Sequence, residues 1–366
     1  MKINVIFFLA RFGFGGAGNS VYRLAKSLDS KKYKVSIITL GECAYKKSFS
    51  KMRIKTYSLR TKKLLFSFFT LRKLIKKLIN NKSKNILISN INYTNIFCSL
   101  VFRYEKKLKM IGVERTPIQE LYIYYDLFDF IKKKILILLL KIGYGRFDKI
   151  ICNSKTISSE LKEKFGFKSE FINPPSLKNN KFFKIPKKKI NSSLINITTI
   201  CRISKEKDLE EIIFALNKIR FNKFIFNIVG EGKEKKNLKK TIQKLNLSNK
   251  VIFHGHKTNI SKILQKSDLY INSSLFEGFP NAVVEALYFG VPVIASQSHG
   301  GINEILNNGK FGTIYFKNKN ELHKKIKNYI KNPKWFINKA MNARKHVAQY
   351  NLKNHVKNFE SLIFKI

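Results

Sequence analysis

Short apolar runs alternate along this chain with stretches whose apolar residues recur every three or four positions. In the first half the runs at 3–8, 35–40, 86–89, 110–113 and 149–152 read as strands. Between them, 20–28, 64–79, 95–102, 127–142 and 157–165 carry helical periodicity. Such alternation predicts βαβ units and a parallel sheet. Asn173-Pro-Pro175 interrupts the pattern, and a Lys/Asn-rich stretch to about Ser193 reads as a linker. The pattern then restarts. Strands are expected at 194–200, 224–229, 251–254, 269–272 and 291–295, and helices near 209–219, 235–245, 260–265 and through the 280s. From Glu321 onward the chain reads as helices, with Pro333 separating two of them.

The expected fold is therefore α/β, with two Rossmann-like, doubly wound parallel sheets in tandem facing across a cleft. The domains are placed at 1–175 and 194–345, joined by a linker at 176–193. A C-terminal helix within 346–366 is expected to pack back on the first domain. At 366 residues the chain is long for one core, which agrees with two domains. In such folds ligands bind beyond the carboxyl ends of the strands.

Four features lie at predicted strand ends. Gly13-Phe-Gly-Gly16-Ala-Gly18-Asn19 follows the first strand, and its glycines would let backbone amides approach an anion. A plain tight turn explains it about as well. Arg202 and Lys207 follow the strand at 194–200, where two cations can neutralise a departing diphosphate. Val229-Gly-Glu-Gly232 is another strand running into a glycine turn. The fourth is Glu277-Gly-Phe-Pro-Asn-Ala-Val-Val-Glu285. Here Pro280 fits the first helical position, and the amides of Asn281, Ala282 and Val283 would point outward at the positive end of a helix dipole. Glutamates flanking an anion site accept hydrogen bonds from hydroxyls. Anion plus hydroxyls describes a sugar nucleotide.

Together, Arg202…Lys207, Val229-Gly-Glu-Gly232, Phe253-His-Gly255, Ser274…Glu277-Gly-Phe-Pro…Glu285-Ala and Gly300-Gly301…Glu304-Ile resemble the family 4 retaining glycosyltransferases of the GT-B fold. The resemblance spans essentially the whole chain. It implies that Arg202 and Lys207 hold the donor diphosphate, that Glu277 contacts donor-sugar hydroxyls, and that Glu285 contacts the ribose. It also implies that backbone amides around residues 279–283, in the turn of Gly278, Phe279, Pro280, Asn281, Ala282 and Val283, bind phosphate and sugar with the loop of Gly15 and Gly16. By the same resemblance Gly230 is donor-binding, and His254 lies near the base. Two departures stand out. Cys201 occupies the place of a usual glycine, and no histidine precedes His254, whereas many relatives carry one in the first domain. The corresponding strand end reads Gly112-Val-Glu114-Arg115-Thr-Pro117, like a variant in relatives that build bacterial surface glycans on lipid carriers. Glu114 or Arg115 then faces the reaction centre, or the two form a structural salt bridge.

What the resemblance implies is transfer of a hexose or N-acetylhexosamine, from a UDP-sugar by preference, to a glycan or polyprenyl-diphosphate-linked acceptor in O-antigen or capsule synthesis. No cofactor is expected, and no metal: Asp-x-Asp occurs nowhere in the chain. Alternatives are a sugar-nucleotide epimerase or another GT-B enzyme, and a polyanion-binding protein. The last is motivated by a formal charge of +49. Compositional drift explains that charge as readily, and neither clustered arginines nor a nucleic-acid module supports specific nucleic-acid binding.

Isolated cysteines at 43, 98, 152 and 201 suggest a reducing compartment. The apolar N-terminus is too short before Arg11 for a signal peptide, and the run from Ile135 stops at Lys141, far below the ~20 residues of a membrane span. A cytoplasmic protein is expected, and peripheral attachment at the inner face of the membrane is one reading of segment 62–77, which separates bulky apolar groups from lysines as an interfacial helix would. A helix packed on the first sheet would look the same.

Overall fold

The computed structural model describes residues 2–178, 194–219, 223–318 and 320–366, so the linker expected at 176–193 lies outside the described residues from 179 on. The chain divides into two compact units, one of residues 1–175 with 352–366 and one of residues 176–351.

The first unit holds a parallel sheet of seven strands: β1 (Ile3–Phe8), β2 (Tyr33–Thr39), β3 (Lys55–Ser58), β4 (Asn85–Asn90), β5 (Lys109–Glu114), β6 (Lys149–Cys152) and β7 (Glu170–Phe171). Its helices are α1 (Gly16–Ser27), α2 (Lys46–Lys51), α3 (Phe68–Leu78), α4 (Asn92–Val101), α5 (Leu127–Gly143) and α6 (Lys155–Phe165). Strand order is β3-β2-β1-β4-β5-β6-β7, so the winding reverses between β1 and β4. Alternate residues of each strand feed opposite faces. Val5, Phe7, Ile37 and Ile88 pack with α1, while Ile6, Phe8, Ile38 and Leu87 pack with α3 and α4.

The second unit repeats the design with β8 (Leu194–Ile200), β9 (Lys223–Val229), β10 (Val251–Gly255), β11 (Leu269–Asn272), β12 (Val293–Ser296) and β13 (Thr313–Tyr315). Its helices are α7 (Leu209–Asn217), α8 (Lys235–Lys244), α9 (Ser261–Lys266), α10 (Asn281–Tyr288), α11 (Ile302–Leu306), α12 (Glu321–Lys331) and α13 (Pro333–Val347). Order β10-β9-β8-β11-β12-β13 puts the reversal between β8 and β11. A final helix, α14 (Leu352–Phe364), belongs to the first unit, where Phe359 stacks on Phe7 with ring centroids 6.3 Å apart.

Two doubly wound parallel sheets are thus present, as the alternation predicts. The strands missed by the sequence reading, β3, β7 and β13, are all short and lie at or near sheet edges, where little apolar pattern is needed. Helix α1 starts at Gly16 rather than Ser20, because the Asn19 amide already donates to Gly15 O at 2.9 Å. Gly16 and Gly18 therefore sit in the first helical turn, and Gly15 is the cap. Segment 62–77 becomes a 3-10 turn (Leu65–Ser67) leading into α3, whose Leu71 and Ile75 are buried on the sheet.

Candidate functional site

The β8/β11 reversal gathers most of the predicted residues of the second unit. Past β8, Arg202 is exposed and Lys207 ends a 3-10 turn (Lys205–Lys207). Past β11 comes the loop carrying Glu277. The two loops are tied together: the Leu275 amide donates to Glu206 O at 2.9 Å, and Ser273 Oγ donates to Lys207 O at 2.8 Å. Lys207 Nζ reaches Glu277 Oε1 at 2.7 Å. Ser274 Oγ at 2.7 Å and Asn272 Nδ2 at 3.3 Å donate to the same oxygen. Burial pulls the Lys207 pKa down, but the Glu277 carboxylate outweighs it and the net shift is upward, so the lysine stays charged.

A second lysine fixes the first loop from behind. Lys317 Nζ donates to Asp208 Oδ2 and to Ser273 O, both at 2.7 Å, and also to the Glu211 carboxylate. Asp208 adopts a left-handed backbone with φ 45°, which this clamp stabilises one residue from Lys207. Neither Lys317 nor Asn272 was singled out from sequence, and Ser274 entered only as the start of the family motif. A lysine is no signal in a chain this rich in lysine.

The Glu277 loop is set on its other side by the Gly300-Gly301 pair. Glu277 N donates to His299 O and Gly301 N to Gly278 O, each at 2.9 Å. Gly300 has φ 113°, and a Cβ there would lie 1.5 Å from Glu277 O. Gly230 is similar, at φ 141° with a Cβ meeting Cys201 O at 1.9 Å, which presses the β9 turn onto the β8 end. His254 Nε2 lies 2.7 Å from Asn227 Oδ1, and burial lowers its pKa, so the neutral ring donates through Nε2.

The helix start differs from expectation. Pro280 is the residue before α10, with ψ 88°, not its first turn. Its carbonyl accepts from Val283 N at 3.0 Å, so that amide is engaged inside the turn. Asn281 and Ala282 amides make no backbone hydrogen bond among the described residues. Phe279 is buried against Tyr350, Asn281 Oδ1 accepts from Ser176 Oγ at 2.6 Å, and Glu285 is half-buried on α10.

In the first unit, Gly13 and Gly15 are exposed, and a Cβ at either would meet nothing within 4 Å. Packing does not require glycine there. Glu114, at the end of β5, is fully buried: Oε1 accepts from Asn95 Nδ2 at 2.5 Å and from the Tyr144 hydroxyl, while Oε2 is buried without a partner. Burial raises its pKa to about 7. It forms no salt bridge with Arg115, whose Nε and Nη2 donate instead to Asn90 Oδ1 at 3.0 and 2.9 Å. Burial lowers the Arg115 pKa to about 10. Arg115 lines a small cavity with Asn90, Asn153 and His355. A histidine thus does reach the first unit, but from α14. Its Nδ1 donates to Asn173 O at 2.8 Å, and burial lowers its pKa to about 4. The signal was its place one turn before Phe359 on the apolar face of that helix.

Among the described residues, no group of three or more His, Cys, Asp or Glu could hold a metal ion, and no helix is long and apolar enough to cross a membrane.

Two family models match this chain in succession: Glycosyltransferase Family 4 over residues 14–173 and Glycosyl transferases group 1 over residues 180–357. The chain belongs to this glycosyltransferase family. Among solved structures, HepE of Anabaena in complex with UDP-glucose superposes with a TM-score of 0.81 at 17% identity, covering 100% of both chains, and the fold is GT-B. An N-acetylgalactosaminyltransferase of Campylobacter jejuni acting on N-acetylgalactosamine-N,N'-diacetylbacillosaminyl-diphospho-undecaprenol is 26% identical over 89% of this chain and 90% of its own. An uncharacterized glycosyltransferase of Methanocaldococcus jannaschii is 28% identical over 75% and 72%.

Two predictions come from this geometry. Glu114 holds its proton to a higher pH folded than unfolded, so its contribution is intact below pH ~4.5 and is lost as pH rises through about 7. The Glu114→Gln variant should flatten that fall, recovering on the order of 3 kcal/mol at pH 8 relative to pH 4. Melting temperatures of both proteins across that range check it; parallel curves refute it. Replacing Lys317 by Met should cost about 2 kcal/mol, by taking the cation from Asp208 and leaving Glu211 to the Tyr315 hydroxyl. An unchanged urea midpoint would show the clamp to be idle.

Proposed function

We propose that this protein transfers a hexose or N-acetylhexosamine from a UDP-sugar to a glycan carried on a polyprenyl diphosphate, with retention at the anomeric carbon. The observation that carries the proposal is the arrangement of Lys207 and Glu277 at the β8/β11 reversal, where the donor bonds to Glu277 converge on Oε1. Oε2 is thereby left to accept hydroxyls of a donor sugar, while a permanently charged Lys207 stands beside it. Arg202 on the same strand end supplies a second cation for the leaving diphosphate. With it act the amides of Gly278, Phe279, Asn281 and Ala282, dipoles already in place as charge develops. Glu285, one turn into α10, takes the ribose hydroxyls, and the Gly230 turn and His254 lie at the adjoining strand ends.

In the first unit, Gly15 and Gly16 open α1 with amides suited to a phosphate or sugar oxygen, and the freedom of Gly15 from packing supports that reading. Arg115, just past the end of β5, has charge to offer a diphosphate acceptor. Glu114 acts by fixing the strand end through Asn95 and Tyr144, since its carboxyl is enclosed. The acceptor class rests on the Campylobacter relative and the donor on the UDP-glucose complex of HepE. Surface glycan assembly is the process that uses such an acceptor.

The roles separate in two variants. Glu285→Ala should abolish nucleotide-sugar binding in isothermal titration. Arg202→Ala should keep donor affinity within about threefold yet lower turnover by on the order of a hundredfold, because it acts on the leaving group. Unchanged donor affinity in the Glu285 variant would sink the assignment.

A further inference from the structure

Helix α5 is apolar nearly all round, yet only part of it is covered. Leu140 packs inward, and Lys133 turns in to an ion pair with Asp129 at 2.8 Å. On the other side Phe128 (78% exposed), Ile131 (50%), Ile135 (53%), Leu138 (57%) and Ile142 (48%) remain open. Their spacing of three, four, three and four residues places them in one stripe, ~100° wide, running the length of the helix. Lys134 and Lys141 border it on one side and Lys132 on the other. A buried helix would cover such a stripe, and a solvated one would not carry it.

A second open apolar group lies on the same face of the first sheet. α3 packs with α4 in one core cluster, and α4 packs against α5. At the start of α3 and the turn before it, Leu65 (76%), Phe66 (72%) and Phe69 (81%) stand clear of the core. α3, α4 and α5 each lead into the next parallel strand, so their N-terminal ends lie at the same, carboxyl edge of the sheet. Phe66 and Phe69 thus share that edge with Leu127 and Phe128.

Charge names the occupant. Between Glu42 and Glu105 the chain has fifteen Lys or Arg and no acidic residue at all. Lys62, Lys63, Arg72, Lys73, Lys76 and Lys77 flank the α3 aromatics. This is not uniform enrichment: the remaining sequence carries all 23 acidic residues. The α5 stripe is less one-sided, since Asp126 caps the helix and Asp129 pairs with Lys133, yet Lys132, Lys134 and Lys141 border it. Bulky apolar groups bordered by cations match an anionic lipid surface, with the side chains entering the acyl boundary and the lysines meeting headgroup phosphates. A protein partner would need an equally acidic, equally apolar face, and a nucleic acid offers no apolar layer.

We propose that the α5 stripe and the Leu65–Phe69 aromatics form one membrane-docking face, which seats the first unit on an anionic bilayer by insertion of apolar side chains as well as by charge. The proposal is independent of the donor reading, because vesicle binding is measured without nucleotide-sugar or acceptor.

The test is vesicle flotation of the full chain with phosphatidylcholine alone or mixed with phosphatidylglycerol. Wild-type protein should float with the mixed vesicles and not the neutral ones, with binding weakened by salt. The Ile131→Gln/Ile135→Gln/Leu138→Gln and Phe66→Gln/Phe69→Gln variants should each bind at least about tenfold more weakly while melting like wild type, since these side chains are exposed. In a Phe66→Trp protein also carrying Trp335→Phe, brominated lipid should quench the fluorescence. Glutamine variants that bind as well as wild type, or a tryptophan that is not quenched, would reduce the contact to charge and overturn the proposal. So would a wild-type dimer in lipid-free sedimentation that the α5 variant dissolves, because the stripe would then face a second copy.

Discussion

The contact between Lys207 and Glu277 holds together two loops that are 70 residues apart in the chain. Parallel winding brings the ends of β8 and β11 side by side at the reversal of the second sheet, but adjacency alone would leave two mobile, like-exposed charges. Ser273 and the Leu275 amide convert it into a fixed geometry by hydrogen bonds across the gap, while Ser274 and Asn272 hold the Glu277 carboxylate from its own loop. Lys317 then pins the strained Asp208 from beneath, and Gly300 allows the loop after β12 to lie against Glu277. Each of these would be an ordinary surface feature alone. Together they keep a cation and a carboxylate at a set distance, so binding a ligand there requires little reordering.

Much of this was legible in the sequence. Parallel strands are covered on both sides, so β1, β6, β8 and β11 appear as short apolar runs, and the order and spacing of the second-half motifs carried the family. The failures have physical causes. Pro280 was placed one position too far into α10, because a proline suits either side of a helix start and only its ψ decides. Val283's amide was expected to be free, yet a tight first turn uses it. Glu114 and Arg115 are neighbours in sequence, but side chains alternate along a strand, so one enters the core and the other meets Asn90. His355 was missed although its helix was expected to return to the first domain, because a histidine on an apolar helix face does not tell which strand end it meets.

Burial and exposure in the first unit run against the simplest expectation. A carboxyl group is sealed inside with one oxygen unpaired, while a row of isoleucine, leucine and phenylalanine stands outside. The first is tolerable because Asn95 and Tyr144 satisfy the other oxygen and the proton can remain at moderate pH. The second is tolerable in water because cations border it and discourage self-association. Neither would survive as a neutral packing accident, since each carries a standing free-energy cost.

The return of α14 has a consequence for how the molecule is made. Phe359, Leu362 and Ile363 belong to the core beneath β1, yet they are synthesised only after the whole second unit. During translation the first sheet must wait with Phe7 and its neighbours partly uncovered, while the second unit has every one of its own strands in hand and can close first. The order of emergence from the ribosome is therefore not the order of completion, and the nascent first unit is the species most in need of a chaperone.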